Sequence, residues 1–372
     1  KITGTAQQDS TFKNKKIFSV ENVEVNGAPT SDRGPRIVDH CLLPGPDLCT
    51  DFCNNCPSPP NLCDISTPSP HKFALLFSGG VDLPNAKYRY WNDLEFMYLT
   101  LRSQYGFSDA NMVVLYMDGV KENLASTMQV DFPASGLGIN NAIAHLNTIM
   151  HNHSTSSAIR DTLFLFVTNH GGGYDMLGIG GGFSGAMDGS GWGSLDEPEP
   201  DPPGPKVDEV IYYYPTPISS LISIKDDLWK SKWDGLLTSK NPLFLSLYEQ
   251  CFSGGFLDDM KAPKRVNIAA ASENGYSYSL PSDNIYDAFS YYFTSALYGR
   301  NADGSCLKSS PDIDFDGKVS IWEAYRFAHL SDLPHDTHRH FLDDLGTGIG
   351  IEGITPTSLT TGQGTFSSGV FL

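Results

Sequence analysis

The sequence predicts an α/β fold in which helices cover both faces of a mainly parallel sheet. Three observations support this prediction. Short apolar runs of strand length recur along the chain, helix-compatible segments lie between several of them, and 40% of the 372 residues are hydrophobic. Strands that are apolar throughout, rather than alternating with polar residues, are typical of a parallel sheet that is buried on both faces.

Five apolar runs are the predicted core strands. They are Phe73–Phe77, Met112–Tyr116, Leu163–Val167, Leu243–Tyr248 and Val266–Ala271. Segments with helical apolar spacing connect or follow these strands. They are Asn92–Tyr105, which ends before Gly106, Asn141–His151, Asp226–Leu237 and Tyr286–Leu297. Strands that alternate with helices in this way favour parallel pairing.

Three regions are predicted along the chain. Residues 1–70 form an irregular, cysteine-rich N-terminal region, residues 71–335 form the α/β domain, and residues 336–372 form a C-terminal extension. Residues 171–206 are first Gly-rich and then acidic and Pro-rich, and they predict a long loop inserted after the third strand. The loop is either a disordered linker or a substrate-site or processing loop, because it leaves the strand end that carries His170.

Cysteine usage favours an oxidising compartment. Five of the seven cysteines lie in the N-terminal region, and the other two are Cys251 and Cys306. Three disulfide bonds that include Cys306 would leave Cys251 as the free thiol, and such a framework indicates a secreted or extracellular protein. A zinc site on Cys53 and Cys56 is the alternative. The start at Lys1, without a Met or an apolar leader, suggests that a signal peptide is already removed.

The charge and the hydropathy pattern exclude two classes of partner. A formal net charge of -18 predicts no nucleic-acid partner, because the phosphates would be repelled. No apolar run approaches the roughly 18–20 residues that a membrane span needs, so the sequence predicts no such span.

Two predicted strands each end in a reactive side chain that glycines follow. The third strand ends with Thr-Asn-His170-Gly-Gly-Gly, and the fourth ends with Glu-Gln-Cys251-Phe-Ser-Gly-Gly. An imidazole can remove the proton of a thiol and later protonate a leaving amine, and the amides of Gly171 and Cys251 are placed to donate to an oxyanion. A buried cysteine and a structural histidine are the alternative. The same pattern at two strand ends favours a catalytic dyad.

These two blocks resemble those of a known group of enzymes. TNHGGG and EQCFSGG are similar to the His-Gly and Cys-x-Ser-Gly blocks of the caspase-like clan of cysteine peptidases, and most to its legumain branch, which includes the GPI transamidase catalytic subunit. Residues 74–119 resemble the opening block of legumain, and residues 269–293 resemble the segment that lines its primary specificity pocket. The resemblance covers roughly residues 73–297, and it implies a caspase-like fold and a catalytic domain over residues 71–335.

The resemblance also implies roles for single residues. His170 and Cys251 match the catalytic dyad, and Arg89, Asp283 and Ser272 match the substrate pocket. Phe252 stands where legumain has a Glu and Lys87 stands where it has an Asn, so asparagine specificity is not implied. We expect that Arg89 could instead pair with an acidic side chain at the cleavage site.

Residues 312–323 match the twelve-residue calcium loop of an EF-hand. Gly317 occupies the sixth position, where the chain turns sharply, and the predicted helix Ile321–Leu330 follows. The incoming segment, which contains Pro311, is not helical, so the loop is similar to single calcium loops of secreted proteins. The predicted ligands of a structural Ca²⁺ are Asp312, Asp314, Asp316, the carbonyl of Lys318, Ser320 and Glu323.

Three functions stay open at this point. The first is a secreted, calcium-stabilised endopeptidase that hydrolyses a peptide or protein substrate through an acyl-thioester. The second is a transpeptidase or transamidase that uses the same dyad and passes the acyl group to an amine. The third is a non-catalytic calcium-binding scaffold or adhesion protein. Reactivity of Cys251 separates the enzymes from the scaffold, and an added amine separates the two enzymes.

Overall fold

A computed structural model describes residues 6–7, 17–18, 68–80, 87–154, 159–173, 209–214, 222–273, 275–282, 284–334, 338–348, 350–353 and 362–372. The chain divides into two compact units, Lys1–Gly34 and Pro35–Leu372. In the first unit, strands β1 (Ala6–Gln7) and β2 (Ile17–Phe18) pair antiparallel. The five N-terminal cysteines lie outside the described residues, so their disulfide bonds stay a prediction.

The second unit contains ten strands and six helices among its described residues. The strands are β3 (Lys72–Ser78), β4 (Met112–Tyr116), β5 (Thr162–Val167), β6 (Gly171–Gly172), β7 (Val210–Tyr213), β8 (Ile222–Lys225), β9 (Leu243–Tyr248), β10 (Arg265–Ala269), β11 (Phe341–Asp343) and β12 (Ile351–Glu352). The helices are α1 (Tyr88–Tyr105), α2 (Gly136–Ile149), α3 (Asp226–Lys240), α4 (Phe256–Asp259), α5 (Ala288–Tyr298) and α6 (Ile321–Ser331).

Seven of these strands form one mostly parallel sheet. Their order is β12-β11-β10-β9-β5-β3-β4, and the five strands from β10 to β4 are parallel to one another. These are the five strands that the apolar runs predict, so the predicted α/β class is confirmed. Counted along the chain, the parallel strands have the order 2-1-3-4-5, and the direction of winding reverses between β3 and β5.

Helices cover both faces of the sheet. Helices α1, α5 and α6 pack on one face, and α2, α3 and α4 pack on the other. Strand β3 shows the division, since Ala74 and Leu76 face the first layer whereas Phe73, Leu75 and Phe77 face the second. Full burial of each large apolar side chain contributes about 1.5–3 kcal/mol, which explains why β3, β4 and β5 are apolar on both faces at their centres.

Two helices begin earlier than predicted. Helix α1 starts at Tyr88 and not at Asn92, because no side chain caps it and the sequence therefore carries no start signal. Helix α2 starts at Gly136, where the Ser135 side chain accepts a hydrogen bond from the backbone N–H of Gly138. Glycines within the first turn conceal this start, since they are poor helix formers.

The C-terminal residues are part of the sheet. Strand β11 pairs antiparallel with β10, and β12 pairs with β11. Residues on both sides of the predicted boundary at 335/336 thus contribute strands to the same sheet. Strands of two and three residues are too short to produce a periodic pattern. Asp344 fixes the segment further, because its carboxylate accepts hydrogen bonds from the backbone N–H groups of Gly364 and Ser367.

A second, three-stranded antiparallel sheet lies after β5 in the chain, with the order β6-β7-β8. The loop predicted over residues 171–206 thus begins with a strand, because Gly171 pairs with Ile211 and Gly172 with Val210. Residues 174–208 lie outside the described residues. Within the described part of the chain, no helix is long and apolar enough to cross a membrane.

Candidate active site

His170 and Cys251 follow neighbouring parallel strands at equal distances from a registered pair. Strand β5 pairs with β9, and Val167 lies opposite Tyr248 at their carboxyl ends. His170 and Cys251 each come three residues after this pair. The two side chains therefore leave the same edge of the sheet from adjacent strands, as the sequence predicts.

Gly171 places the backbone after His170 directly against the backbone of Cys251. A Cβ atom at Gly171 would overlap with the carbonyl oxygen of Cys251 and would lie 2.8 Å from Cγ of Gln250. Only glycine permits this approach, because real Cβ contacts are longer than 3.0 Å. The contact joins the two segments that carry the predicted dyad.

Cys251 carries a free, half-buried thiol. Its Sγ lies 3.7 Å from Oγ and 3.8 Å from the carbonyl oxygen of Ser277. Burial raises the pKa of the Cys251 thiol, and the charge of Asp287 raises it further, whereas the Ser277 hydrogen bonds and the charge of Arg89 lower it. The net direction is upward, so the thiol needs a base to become a nucleophile.

Asn169, which precedes His170 in the chain, and Tyr90, which contacts its ring, hold His170 in position. The side chain of Asn169 accepts a hydrogen bond from the backbone N–H of Gly80 at 2.8 Å and donates one to the carbonyl of Tyr212 at 2.6 Å. These bonds tie the segment after β5 to the end of β3 and to β7. The ring of Tyr90 meets the His170 imidazole edge to face, with 5.4 Å between the ring centroids.

The chain turns sharply after Cys251. Phe252 has a φ of 60°, in the left-handed region that a bulky residue rarely adopts. Its N–H donates to the carbonyl of Gly275 at 2.7 Å, and its buried ring packs 5.1 Å from the ring of Tyr276 and against Gly173. Among the residues that the structure describes, the N–H of Cys251 has no acceptor, which leaves this donor available to a ligand.

Arg89 is mostly buried and already has an acidic partner. Its Nε donates to Asp287 at 2.5 Å, one Nη donates to Asn284 at 3.3 Å, and the guanidinium lies 4.8 Å from the centroid of the Tyr90 ring. An acidic side chain of a substrate would therefore have to compete with Asp287 for this guanidinium. Asp283, the other acid that the resemblance places in the pocket, lies outside the described residues.

Three buried carboxyl groups lie close together behind the site. The Thr168 hydroxyl is 2.9 Å from Asp93 and 3.1 Å from Asp287, and the Asp287 N–H donates to Asp93. Glu249 accepts a hydrogen bond from the backbone N–H of Ser290 at 2.7 Å. Burial and then the charge of Asp287 raise the pKa values of Asp93 and Glu249 well above their usual range. Glu249 is thus a fully buried structural residue behind the site.

Ser272 lies in the turn that follows β10. Its carbonyl accepts a hydrogen bond from the Gly275 N–H, and its backbone packs against Gly254 behind the loop of Cys251. Five residues further along, Ser277 makes the contact with the thiol. No pattern in the sequence separates one serine of this Ser- and Tyr-rich segment from another, so the role of Ser277 could not be predicted.

A buried polar network supports this segment from the C-terminal side. Asp332 bonds the rings of His338 at 2.6 Å and His340 at 3.1 Å, and these hydrogen bonds lower its pKa against the opposing effect of burial. The His338 ring stacks on Tyr278, next to Ser277, with 4.1 Å between the centroids. Both histidine rings are buried, although the charged residue between them in the sequence is typical of a loop in solvent.

The predicted calcium loop brings three of its acidic residues together. One carboxylate oxygen from each of Asp312, Asp314 and Glu323 lies within 4.8 Å of the others. Gly317 has a φ of 84°, as the sharp turn at this position requires. Oδ1 of Asp312 is buried without a hydrogen-bond partner, so a cation would satisfy an otherwise costly atom. This orphaned oxygen and the all-oxygen donor set fit Ca²⁺.

The other predicted calcium ligands are not part of this group. Asp316 accepts a hydrogen bond from the N–H of Lys318 at 2.8 Å. The Ser320 hydroxyl accepts a hydrogen bond from the Glu323 N–H at 3.2 Å, and the Ser320 N–H donates to the Glu323 carboxylate at 2.8 Å, which forms a capping box at the start of α6. Ser320 is thus engaged with the helix, and a ligand at this position often acts through water.

Comparison with known proteins gives no information about the chemistry of this site. The chain matches no protein-family model, and it matches no curated protein. It is similar to the crystal structure of protein GSU0716 from Geobacter sulfurreducens, with a TM-score of 0.39 and 14% sequence identity over 80% of this chain and 98% of the other. A likeness this distant carries no argument about function.

Proposed function

We propose that this chain is a cysteine peptidase of the caspase-like clan, with Cys251 as nucleophile and His170 as general base and acid. The observation that carries the proposal is the equal offset of both residues from the paired Val167 and Tyr248 on adjacent parallel strands. The close contact between Gly171 and Cys251 supports it, because it joins the two segments where a substrate carbonyl would bind.

In the proposed reaction, His170 takes the proton of the Cys251 thiol as Sγ forms a bond to the carbonyl carbon of the scissile peptide. The carbonyl electron pair moves to oxygen, where the N–H groups of Cys251 and Gly171 donate hydrogen bonds. Collapse breaks the C–N bond, and His170 gives its proton to the leaving amine. Water, deprotonated by His170, then hydrolyses the thioester and releases an acid and the thiol.

The raised pKa of Cys251 is consistent with this role for His170. A thiol that stays protonated at neutral pH gains nucleophilicity when a base removes its proton during attack. Catalytic hydrogen bonds in ligand-free enzymes are often long and tighten only when substrate binds. Calcium at Asp312, Asp314 and Glu323 would supply a fixed start for α6 and no chemistry at the thiol.

A peptidyl acyloxymethyl ketone tests the proposal directly. We expect one covalent adduct per chain, located on Cys251 by peptide mapping, and we expect His170→Ala to slow its formation by about 10²-fold or more. His145→Ala is the matched control, because His145 lies exposed on α2 and should leave the rate unchanged. An unmodified Cys251 in folded protein loaded with calcium would contradict the proposal and favour a scaffold.

Peptide products then separate hydrolysis from acyl transfer. With a peptide library that varies the residue before the cleaved bond, a peptidase releases free carboxylates. If water is the normal acceptor of the acyl group, an added amine nucleophile should convert only a small fraction of these carboxylates to amides. Predominant amide products at a low amine concentration would instead assign the chain to the transpeptidase class.

A further inference from the structure

Three histidines and one aspartate converge at the edge of the sheet opposite to Cys251. One ligand atom from each of His71, His151, His153 and Asp161 lies within 4.8 Å of all the others. These four residues are called the histidine cluster below. No motif in the sequence indicates this cluster, because its members come from three separate segments.

Rigid elements hold the histidine cluster. His71 directly precedes β3, and Asp161 directly precedes the neighbouring strand β5, whose first residue donates its N–H to the carbonyl of His71 at 2.8 Å. His151 and His153 follow the end of α2, where the buried Lys240 donates to the carbonyl of Met150 at 2.9 Å. A site on strand starts and a helix end needs little reorganisation to bind an ion.

The distances within the cluster suit a tetrahedral ion. Oδ1 of Asp161 lies 2.8 Å from Nδ1 of His71, 3.0 Å from Nδ1 of His151 and 3.0 Å from Nε2 of His153. Adjacent ligands of a tetrahedral zinc ion with bonds of about 2.0–2.1 Å lie about 3.3 Å apart. Outward movements of a few tenths of an ångström would therefore open the cluster around an ion.

Hydrogen bonding alone does not account for the contacts of His153. Its Nε2 lies 3.1 Å from the backbone nitrogen of Asp161 and 3.0 Å from Oδ1 of the same residue. One ring nitrogen can accept from the backbone N–H or donate to the carboxylate oxygen, but it cannot do both. Either tautomer therefore leaves one contact unsatisfied, and a cation between Nε2 and Oδ1 would remove this conflict.

We propose that the histidine cluster binds a structural Zn²⁺ ion through three imidazole nitrogens and one carboxylate oxygen. Imidazole with carboxylate is a donor set for zinc and not for calcium. Asp161 is fully buried, and the backbone N–H of His151 donates to its Oδ2 at 2.7 Å, as an outer partner that orients a ligating carboxylate. The side chains of His71 and His151 are 37% and 49% exposed, so solvent reaches the site.

The ion would join the connection between α2 and β5 to the start of β3. Four protein ligands leave no open position, which indicates a structural and not a catalytic site. The proposal is independent of the proposed peptidase function, since the cluster lies at the amino ends of the strands and the dyad at their carboxyl ends.

Titration of the chelator-treated full chain with Zn²⁺, followed by calorimetry and elemental analysis, tests the proposal. We expect the His71→Ala/His153→Ala double variant to lose one equivalent or to bind it at least about tenfold more weakly. His145→Ala, an exposed histidine on α2, should bind as the unchanged protein does. A millimolar concentration of Ca²⁺ should not displace the ion.

Cobalt identifies the ligands. Co²⁺ in this site should give the intense visible absorption of a tetrahedral complex, without the near-ultraviolet band of thiolate ligands.

Should the double variant fail to fold, the single variant His71→Gln provides the same comparison at a partly exposed position. Zn²⁺ binding of equal affinity and stoichiometry in the unchanged protein and in a folded cluster variant would overturn the proposal, as would an unchanged protein that binds no Zn²⁺.

Discussion

At the scale of single residues, the thiol of Cys251 depends on a small set of neighbours with opposing effects. Ser277 contacts Sγ directly and lowers the pKa, whereas burial raises it. Arg89 and Asp287 form an ion pair whose two charges act on the thiol in opposite directions. The pair therefore sets the balance between thiol and thiolate as well as the shape of the pocket.

Asp287→Asn should make Cys251 react faster at neutral pH. The change removes a negative charge that raises the pKa of the thiol and leaves the positive charge of Arg89 unopposed. A lower pKa gives a larger thiolate fraction at every pH below it. The rate of alkylation by iodoacetamide is measured as a function of pH from roughly 6 to 10, a range that includes the ordinary thiol pKa. The lower pKa should shift this pH–rate curve toward lower pH.

The plateau rate at high pH should not change, because the thiolate itself is the same. Asp303→Asn, which removes an exposed acid in the turn after α5, serves as the control and should give the curve of the unchanged protein. A curve for Asp287→Asn that is unmoved or shifted toward higher pH would show that Asp287 does not act on the thiol by its charge.

At the scale of elements, the strands that fill the core could be predicted and the short ones could not. The bounds predicted for Met112–Tyr116 and Leu243–Tyr248 agree with the observed strands, because a run of strand length that is apolar except for Ser246 has few alternatives. Strands β6, β11 and β12 depend on pairing with distant residues, and their own sequences carry no periodic pattern. His170 and Cys251 directly follow long apolar strands, so their positions at the sheet edge could be predicted. Ser277 and Asp287 reach the site through contacts between distant segments, so their contacts could not be predicted.

Gly171→Ala tests whether the contact between β6 and the loop after β9 builds the site. The new Cβ would overlap with the Cys251 carbonyl, so one of the two segments must move. We expect a loss of about 1–3 kcal/mol in the free energy of unfolding and a loss of labelling of Cys251 by the peptidyl ketone. Chemical denaturation and the labelling rate measure the two effects.

Gly235→Ala is the matched control for this substitution. Gly235 lies exposed within α3, and a Cβ there would meet no atom within 4 Å. Alanine should stabilise the helix by about 0.5–1 kcal/mol and leave labelling unchanged. If Gly171→Ala labels as fast as Gly235→Ala, the close approach is not required for reactivity.

At the scale of the whole second unit, a continuous set of contacts leads from the predicted calcium loop to the thiol. The loop ends at the capping box of α6, and Asp332 directly follows the last residue of α6, Ser331. Asp332 binds His338, which stacks on Tyr278, the neighbour of Ser277 at Sγ. The start of α6 also bonds the C-terminal segment, because the Ile321 N–H donates to the carbonyl of Val370 at 2.9 Å. The described part of the C-terminal quarter is thereby a structural part of the second unit.

Calcium should therefore stabilise this unit as a whole. An ion that binds the folded loop and not the unfolded chain adds about 2.7 kcal/mol when its free concentration is about 100 times the Kd, which raises Tm by several degrees. Asp312→Asn with Asp314→Asn should abolish this rise, since asparagine keeps the hydrogen bonds that these side chains accept from Gly317 and Asp316 but removes both charges. Differential scanning calorimetry with Ca²⁺, with Mg²⁺ and with neither ion measures the effect, and Asp303→Asn should respond as the unchanged protein does. A Tm that Ca²⁺ leaves unmoved in the unchanged protein would exclude the loop as a calcium site, while the reactivity of Cys251 could still be tested without it.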